Sequence, residues 1–447
     1  MKKNISFDKL LLFGYFITLS FLGAIFLALP ISSNEKPIHY IDALFLAISA
    51  CCVTGLSTVS METLSIFGFI VIMCLIELGG FGLISFFMLY IGSHRKRISF
   101  SNRQFIRSFF IDEVDIKPKR IILKIIVITF SIQVLGAVCL FFIFSSSGIS
   151  TNPIFDAIFH SISAFCNAGF STYNNSLISF NQNIPLMLVI IFLVASGGIG
   201  FVVLDDVFMF FKTRFKDKMS FHTKVVIFTT FSLIFFSSLF YYFSNFKDNF
   251  ENMTFFQKIV NSLFQSVTTR TAGFETISQN NFTSNSVLIT LFLMFVGGSP
   301  GSMAGGIKTT TLFIIVSYAF HERNDSSYMS VFQRKINSES ISRAFNIAFK
   351  AMSFIFISLF ILSISESNSL KNQCFSLLDL FFEVVSAQGT VGLSMGITSQ
   401  LSATGKILVS FIMFIGRTGV YAMLLHFPKG KKIENVVTYP TEDVMLG

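Results

Sequence analysis

Charged side chains are scarce in this sequence. Asp, Glu, Lys and Arg supply 13% of its 447 residues, and hydrophobic residues supply 52%, whereas a soluble domain carries about 25% charged residues. A chain with so few charges cannot cover a water-facing surface of this size, so most of it must meet lipid or protein interior. The composition therefore predicts a polytopic membrane protein and not a soluble enzyme.

Several site signatures are also missing. The six cysteines contain no C-x-x-C pair and the six histidines are scattered, which predicts neither a metal cluster nor a disulfide framework. Tryptophan is absent, so Tyr and Phe must anchor the chain at the membrane interfaces. No dinucleotide-binding fingerprint occurs, and the chain is expected to hold no cofactor of its own.

Apolar runs long enough to cross about 30 Å of hydrocarbon occur eight times. They lie at residues 10–29, 66–91, 121–144, 186–211, 225–243, 287–318, 344–364 and 407–427. Lys and Arg concentrate in every second connecting loop. The loops of the other set hold only six of the 33. By the positive-inside rule both termini are predicted to be cytoplasmic. The net charge of +9 is then mostly a topology signal, and no nucleic acid is expected as a partner.

Four short segments on the outward side share one pattern. Each is too short to span the membrane and ends at a glycine, and these are Gly55, Gly169, Gly273 and Gly392. The glycines recur at spacings of 114, 104 and 119 residues, with two long spans in every period. An acidic or amide residue stands twelve or thirteen residues upstream of each glycine: Asp42, Asp156, Asn261 and Asp379. It is expected at the N-cap or in the first turn of a short helix, facing the positive end of the helix.

The repeating unit is therefore a span, a short pore helix, a glycine loop and a second span, written M1–P–M2. The four units cover residues 1–95, 96–215, 216–325 and 326–447. Non-helical backbone at membrane depth persists only where it is buried in protein or lines a water-filled cavity. The predicted fold is all-α, with the four units in a pseudo-fourfold arrangement around one ion pore.

The chemistry predicted for the four loops is cation binding. Glycine permits backbone conformations that turn successive carbonyls toward one axis. Carbonyl oxygens can replace the hydration shell of a cation, and the short helices direct their negative C-terminal ends to the same place. The fourth loop, "TVGL", is close to the potassium-channel filter TVGYG. The predicted ion filter, with potassium at its backbone carbonyls, comprises Val53, Thr54, Gly55, Asn167, Ala168, Gly169, Thr271, Ala272, Gly273, Thr390, Val391 and Gly392.

The third inner span is interrupted by "VGGSPGSMAGGIKTTT". This stretch is not a phosphate-binding loop, because Ile307 separates Gly306 from Lys308 and no strand–loop–helix context surrounds it. Glycines and a proline below the filter predict a break in the helix. We interpret the break as a gate, with a kink that only aids packing as the alternative. The predicted gate residues are Gly297, Gly298, Ser299, Pro300, Gly301, Ser302, Gly305, Gly306, Lys308 and Arg417.

Arg417 lies inside the fourth inner span, at a position where the aligned spans have glycine or serine. A charge inside a membrane span is costly and usually functional. Two roles are open for it. The guanidinium either repels cations below the filter, or it forms an ion pair with a carboxylate, for which Glu77 and Glu383 are the candidates.

These residues resemble the Trk/Ktr/HKT superfamily of potassium transporters, and within it the KtrB-type membrane subunits. The likeness rests on the four filter loops, "GGSPGSMAGGIKTTT", "IGRTGVY" and the tail "YPTEDVMLG". It implies channel-like potassium uptake, often promoted by sodium, across a bacterial cell membrane by a homodimer. It also implies a separate KtrA-type cytosolic regulatory ring that binds ATP/ADP or NAD(H). One departure is Glu275, which follows the third filter where the other copies have Ser, and which is expected to enrich cations at the mouth.

Three other interpretations compete with this one. A scaffold or receptor without ion flux would leave the four filter loops unexplained. A secondary transporter for an organic solute would have two inverted halves and not four equivalent glycine loops. A non-selective or ammonium-conducting relative would share the fold, and ion competition on uptake would separate it from a potassium transporter.

Overall fold

The computed structural model describes residues 7–82, 118–215, 218–244, 250, 253–320 and 329–419. Within these ranges the chain forms fifteen α-helices and one two-stranded β-hairpin. The helices are α1 (Phe7–Ala28), α2 (Tyr40–Cys51), α3 (Ile66–Gly80), α4 (Pro118–Ser147), α5 (Pro153–Cys166), α6 (Ile184–Ile199), α7 (Phe201–Lys212), α8 (Phe221–Ser244), α9 (Phe255–Thr268), α10 (Ser284–Phe295), α11 (Thr309–Ala319), α12 (Ser338–Ser365), α13 (Ser367–Lys371), α14 (Leu377–Gly389) and α15 (Ala403–Thr418).

Fewer continuous spans are found in the described residues than the eight predicted ones. Helices α4, α8 and α12 are long and apolar enough to cross a membrane, and the bent pair of α6 and α7 would make a fourth span. The predicted spans 66–91 and 407–427 continue outside the described residues, at 83–91 and 420–427. The third inner span is divided by a loop between α10 and α11.

Large apolar side chains cover the outer faces of these helices. On α8, for example, Phe231 and Phe236 are each 67% exposed. A soluble monomer rarely leaves so many contiguous aromatic side chains in water. The exposed phenylalanines therefore mark a surface that faces lipid.

Four units of the same order make up the described chain. Each has an outer helix, a pore helix, a loop and an inner helix, and these are α1–α2–α3, α4–α5–α6, α8–α9–α10 and α12–α14–α15. The four loops meet around one axis, because each filter glycine contacts the next one in sequence order and the fourth contacts the first. The architecture is a pseudo-fourfold set of M1–P–M2 units around one central pathway.

Polar residues at the start of the pore helices fix where these helices begin. Asp42, Asp156 and Asp379 lie in the first turns of α2, α5 and α14, as expected. The expectation is wrong for Asn261, which lies in the second turn of α9 because that helix begins earlier, at the capping box of Thr254. Buried there, the Asn261 amide donates to the carbonyl oxygen of Asn181 at 2.8 Å and ties the third pore helix to the second repeat.

Two inner helices are not straight. The chain bends by 107° between helices α6 and α7. Gly200 lies at the bend with φ +98°, a conformation that L side chains rarely adopt. The third inner helix ends at Phe295 and resumes at Thr309, so the predicted break is present. Between α11 and α12 lies a hairpin of β1 (Met329–Val331) and β2 (Arg334–Ile336), which no sequence pattern indicated.

Candidate ion pathway

The four filter glycines form a closed ring. A Cβ added at Gly55 would lie 3.2 Å from Gly169 Cα, and one added at Gly169 would lie 3.0 Å from Gly273 Cα. The same construction at Gly273 reaches Gly392 Cα at 3.2 Å, and at Gly392 it reaches Gly55 Cα at 3.0 Å. Four loops more than 100 residues apart in sequence are therefore in van der Waals contact, and a side chain on any of the glycines would meet its neighbour.

Carbonyl oxygens occupy the gaps between these glycines. A Cβ added at Gly55 would lie 2.5 Å from the first of these oxygens, that of Ala168, and one added at Gly169 would lie 2.8 Å from that of Ala272. Cβ atoms added at Gly273 and Gly392 would overlap the carbonyl oxygens of Val391 and Thr54. In the described part of the chain none of the four oxygens accepts a hydrogen bond. They belong to the residues that precede the glycines: Ala168, Ala272, Val391 and Thr54.

The backbone of each loop turns its N–H groups away from the axis. The N–H groups of Thr54 and Ala168 each donate to a pore-helix carbonyl at 2.8 Å, and those of Ala272 and Val391 do so at 2.9 Å. Because the donors are bonded to the pore helix, the carbonyls remain free to face the pathway. The left-handed residues that make this possible recur in pairs, two residues apart: Val53 and Gly55, Asn167 and Gly169, Thr271 and Gly273, Thr390 and Gly392.

Hydroxyl groups of the pore helices form hydrogen bonds with the backbone of the loops. Ser49 and Ser386 accept from the N–H of Gly55 and Gly392, each at 3.1 Å. In the other two repeats, Ser163 and Thr268 donate at 2.7 Å to the carbonyls of the residues after the glycine. Sequence reasoning missed these four residues. Their signal was a hydroxyl residue five or six positions before each filter glycine.

The electrostatics of the ring favour a cation. Each pore helix ends at its filter loop, at Cys51, Cys166, Thr268 and Gly389 respectively. The C-terminal end of a helix carries about half a negative charge. Four such ends and four unpaired carbonyl oxygens converge on one point, which can replace the hydration shell of a monovalent cation.

A cavity of about 450 Å³ lies on one side of the ring and is lined by the residues that follow the glycines. One carboxyl group lies in its wall, and a second lies behind the wall residues Ser394 and Thr398. Glu383 is buried and accepts from Thr398 Oγ1 at 2.6 Å and from Ser394 Oγ at 2.8 Å. Glu275 is half-buried at the cavity wall, in the loop between α9 and α10, and burial raises the pKa of Glu275 to about 8.

On the other side of the ring lies the loop that interrupts the third inner helix, residues 296–308, called the gate loop below. A Cβ added at Gly305 would lie 2.9 Å from the Gly389 carbonyl oxygen, directly behind the fourth filter. A Cβ added at Gly80 would lie 3.4 Å from Met303 Sδ and 3.2 Å from Cys166 Sγ. The loop therefore lies beside the fourth filter and reaches the first inner helix.

Backbone hydrogen bonds tie the gate loop to the second inner helix. Ser299 N donates to the Gly198 carbonyl at 3.0 Å, and Met303 N donates to the Gly197 carbonyl at 3.1 Å. In return Phe201 N donates to the Gly301 carbonyl at 3.1 Å. These bonds explain the sharp bend at Gly200, because the groups it frees from the helix are satisfied by the loop.

Arg417 reaches the gate loop from the fourth inner helix. Its guanidinium donates to the Met303 carbonyl, and to the carbonyls of Gly79 and Gly80 at 2.8 and 2.9 Å. The ion pair with Glu77 or Glu383 is absent from the described structure, where Glu77 instead accepts from Gln133 Nε2 at 3.1 Å. Backbone carbonyls take the place of a carboxylate, and the arginine links the loop to the first inner helix.

The structure thus brings the twelve predicted filter residues together in one ring and places the predicted gate residues next to it. Lys308 also bonds within the loop, since its Nζ donates to the Ala304 carbonyl at 2.7 Å. One buried cation of this region was not predicted. Arg270, three residues before the third filter glycine, donates to the Gly297 carbonyl at 3.3 Å.

Comparisons with known proteins agree with this architecture. The family described as "TrkH: Cation transport protein" matches residues 8–437. The potassium/sodium uptake protein NtpJ of Enterococcus hirae is 34% identical over 455 residues, covering 100% of this chain and 98% of the relative. Ktr system potassium uptake protein B of Bacillus subtilis is 34% identical over 443 residues, covering 98% of this chain and 96% of the relative.

A solved structure has the same fold. The crystal structure of the potassium transporter TrkH from Vibrio parahaemolyticus superimposes with a TM-score of 0.76 at 18% identity, covering 95% of this chain and 85% of that one. The predicted all-α fold of pore-loop repeats is confirmed, and the expectation that the chain is not an enzyme agrees with the family. This chain belongs to the TrkH family of cation transport proteins.

Proposed function

We propose that this chain carries potassium into the cell through the ring of carbonyl oxygens at Thr54, Ala168, Ala272 and Val391. The observation that supports it most is the ring itself, whose four oxygens accept no hydrogen bond in the described residues. Unpaired backbone oxygens in a membrane interior are costly unless a cation or water satisfies them. The names of the relatives, which include potassium and potassium/sodium uptake proteins, support potassium as the ion. Promotion of this uptake by sodium is part of the proposal.

The energy for uptake comes from the membrane potential. Moving one charge through 100 mV is worth about 2.3 kcal/mol, which allows roughly 50-fold accumulation. The proposed topology has four repeats, at 1–95, 96–215, 216–325 and 326–447, and both termini in the cytoplasm of a bacterium. In this account no step in the chain requires ATP.

The gate loop is the proposed control point. In this proposal the loop closes the pathway beside the filter through hydrogen bonds to the second and fourth inner helices. Five of its thirteen residues are glycines, which allow its backbone to change conformation. A segment of that kind can hold two arrangements of similar energy. The relatives' membership in a "Ktr system" supports a partner that switches the loop, here a KtrA-type nucleotide-binding ring acting on a homodimer of this chain.

Rubidium uptake in a potassium-uptake-deficient bacterium tests the function. Cells that express this chain with a KtrA-type partner should take up rubidium, and potassium should compete better than sodium or ammonium. Equal competition by ammonium would favour the non-selective relative, and inhibition only by an organic solute would refute ion conduction.

Glu275 should make uptake depend on external pH. Because its pKa is raised to about 8, the carboxyl group is mostly neutral at pH 6.5 and mostly ionised at pH 9. Ionisation places a negative charge at the cavity wall and enriches cations there, so apparent potassium affinity should rise about two- to fivefold across this range. Glu275→Gln should remove the dependence, which uptake kinetics at three pH values will show. A dependence that survives in Glu275→Gln would assign it to another group.

Arg417→Gln should loosen the gate loop. The change removes a charge that donates to three carbonyls, and a hydrogen bond to a charged group is worth about 1.5–3 kcal/mol. We expect partner-independent rubidium uptake to rise about tenfold, with normal protein levels in the membrane. Lys406→Gln is the control. Lys406 lies on the same helix as Arg417 and forms an ion pair with Asp42 at 2.6 Å, away from the loop, so this variant should still depend on the partner. A slower Arg417→Gln protein would show that the arginine supports the open pathway.

A further inference from the structure

Arg270 is a buried cation without a carboxylate. It lies between the third pore helix and the third filter, with 8% of its surface exposed. Its Nη2 donates to the Gly297 carbonyl at 3.3 Å, and its Nε has no hydrogen-bond partner in the described residues. Nor does any described carboxylate form an ion pair with it. A charge buried at such cost, bonded to one loop carbonyl, needs a reason beyond packing.

The other repeats show what this arginine replaces. Three residues before the filter glycine they have Cys52, Cys166 and Gly389. In these repeats a glycine of the inner helix packs directly on the end of the pore helix, where an added Cβ would overlap a carbonyl oxygen. The three contacts join Gly79 to Cys51, Gly197 to Phe165 and Gly416 to Gln388.

The third repeat lacks that backbone contact because its inner helix is broken. The guanidinium of Arg270 reaches the carbonyl of Gly297 instead. Gly297 directly follows Val296, which forms a β-bridge with Ile307 where the gate loop begins and ends. A side-chain hydrogen bond can break and re-form without unpacking two helices. The third repeat, whose inner helix is divided by the gate loop, is thus also the repeat with a long cation at this position.

Three cations hold the gate loop at three of its carbonyls. Arg417 donates to Met303 and Lys308 donates to Ala304, both in the distal half of the loop. Arg270 donates to Gly297, near the N-terminal end of the loop, which is called its root below. The distal bonds fix the part of the loop that lies beside the fourth filter, and the bond at Gly297 fixes the hinge on which that part would turn.

We propose that Arg270 is a positioning residue that ties the root of the gate loop to the third pore helix and so holds the loop closed. This inference rests on the proposed gating function. The bond between Arg270 and Gly297 connects the filter to the gate loop directly, because only Thr271 and Ala272 separate Arg270 from the third filter glycine. Opening of the loop then requires the bond between Arg270 and Gly297 to break.

The test is a double-mutant cycle between Arg270→Met and removal of residues 299–305, read as rubidium uptake without a regulatory partner. Arg270→Met keeps an unbranched apolar side chain and removes the hydrogen-bond donors, and Arg270→Lys keeps the charge. We expect Arg270→Met to raise uptake about tenfold with the loop present, as the loss of one charged hydrogen bond allows. It should add nothing when the loop is deleted. Arg270→Lys should lie between wild type and Arg270→Met, and Lys258→Met, on the same pore helix, should behave as wild type.

Each other outcome is distinguishable. If Arg270→Met changes uptake or the potassium-to-sodium competition ratio equally with and without the loop, the arginine supports the filter and the proposal is wrong, although the gate can stand. If the loop deletion itself does not raise uptake, the gating function fails first. If Arg270→Met does not accumulate in the membrane, Arg270→Gln is measured instead, and the absence of both would assign Arg270 to folding and overturn the proposal.

Discussion

Gly392→Ser should lower the apparent affinity for potassium by at least about tenfold and remove most discrimination against sodium. The glycine has φ +93°, which costs a non-glycine residue about 1–2 kcal/mol. An added Cβ would also overlap the Thr54 carbonyl oxygen and lie 3.0 Å from Gly55 Cα. The serine must therefore displace one of the four oxygens of the ring. Rubidium uptake kinetics with potassium and sodium as competitors will measure both effects.

Gly148→Ser is the matched control for this prediction. Gly148 also has a left-handed backbone, at φ +67°, but an added Cβ there would meet nothing within 4 Å. The two variants share backbone strain and differ in the contact with the ring. Gly148→Ser should therefore transport like the wild type. Unchanged kinetics in both Gly392→Ser and Gly273→Ser would contradict the assignment of the carbonyl filter.

Removal of residues 299–305 should raise rubidium uptake about tenfold or more and make it nearly independent of the regulatory partner. The deleted segment carries the carbonyl bonded by Arg417 and the groups bonded to the second inner helix. Its ends are already close, because Gly297 N donates to the Ile307 carbonyl at 3.0 Å and an added Cβ at Gly306 would lie 3.0 Å from Gly297 Cα. The shortened chain can therefore close without pulling α10 or α11 out of place.

Gly301→Ala is a control that leaves the loop in position. An added Cβ at Gly301 would meet nothing within 4 Å, so only local backbone strain is introduced at φ +70°. This variant should keep its dependence on the partner. A deletion variant that is folded and dimeric but slower than wild type would show that the loop supports the pathway and does not gate it.

The sequence predicted best what recurs in it. The four glycine loops share an upstream polar residue and a following apolar residue, so their equivalence was visible without coordinates, and the structure brings them into one ring. Asn261 was misplaced because the pattern aligned residues by their distance from the glycine. The start of α9 is instead set by Thr254 and Gln257, whose reciprocal capping bonds no spacing rule considered.

Contacts between repeats could not be predicted in the same way. Arg417 was matched with carboxylates, because opposite charge is the partner that a sequence can suggest. In the structure it bonds to carbonyls of Met303, Gly79 and Gly80, and every residue presents a carbonyl, so the sequence carries no signal for that choice. The sequence carries no signal for the bond between Arg270 and the Gly297 carbonyl for the same reason.

The most direct test of the central claim is rubidium accumulation in liposomes that contain the purified chain, measured against an imposed membrane potential. Conduction through the carbonyl ring predicts accumulation that rises roughly 50-fold per 100 mV, inside negative. It should need no ATP, be competed by potassium more than by sodium, and be lost in Gly392→Ser. Accumulation that ignores the potential, or that Gly392→Ser leaves intact, would contradict the account.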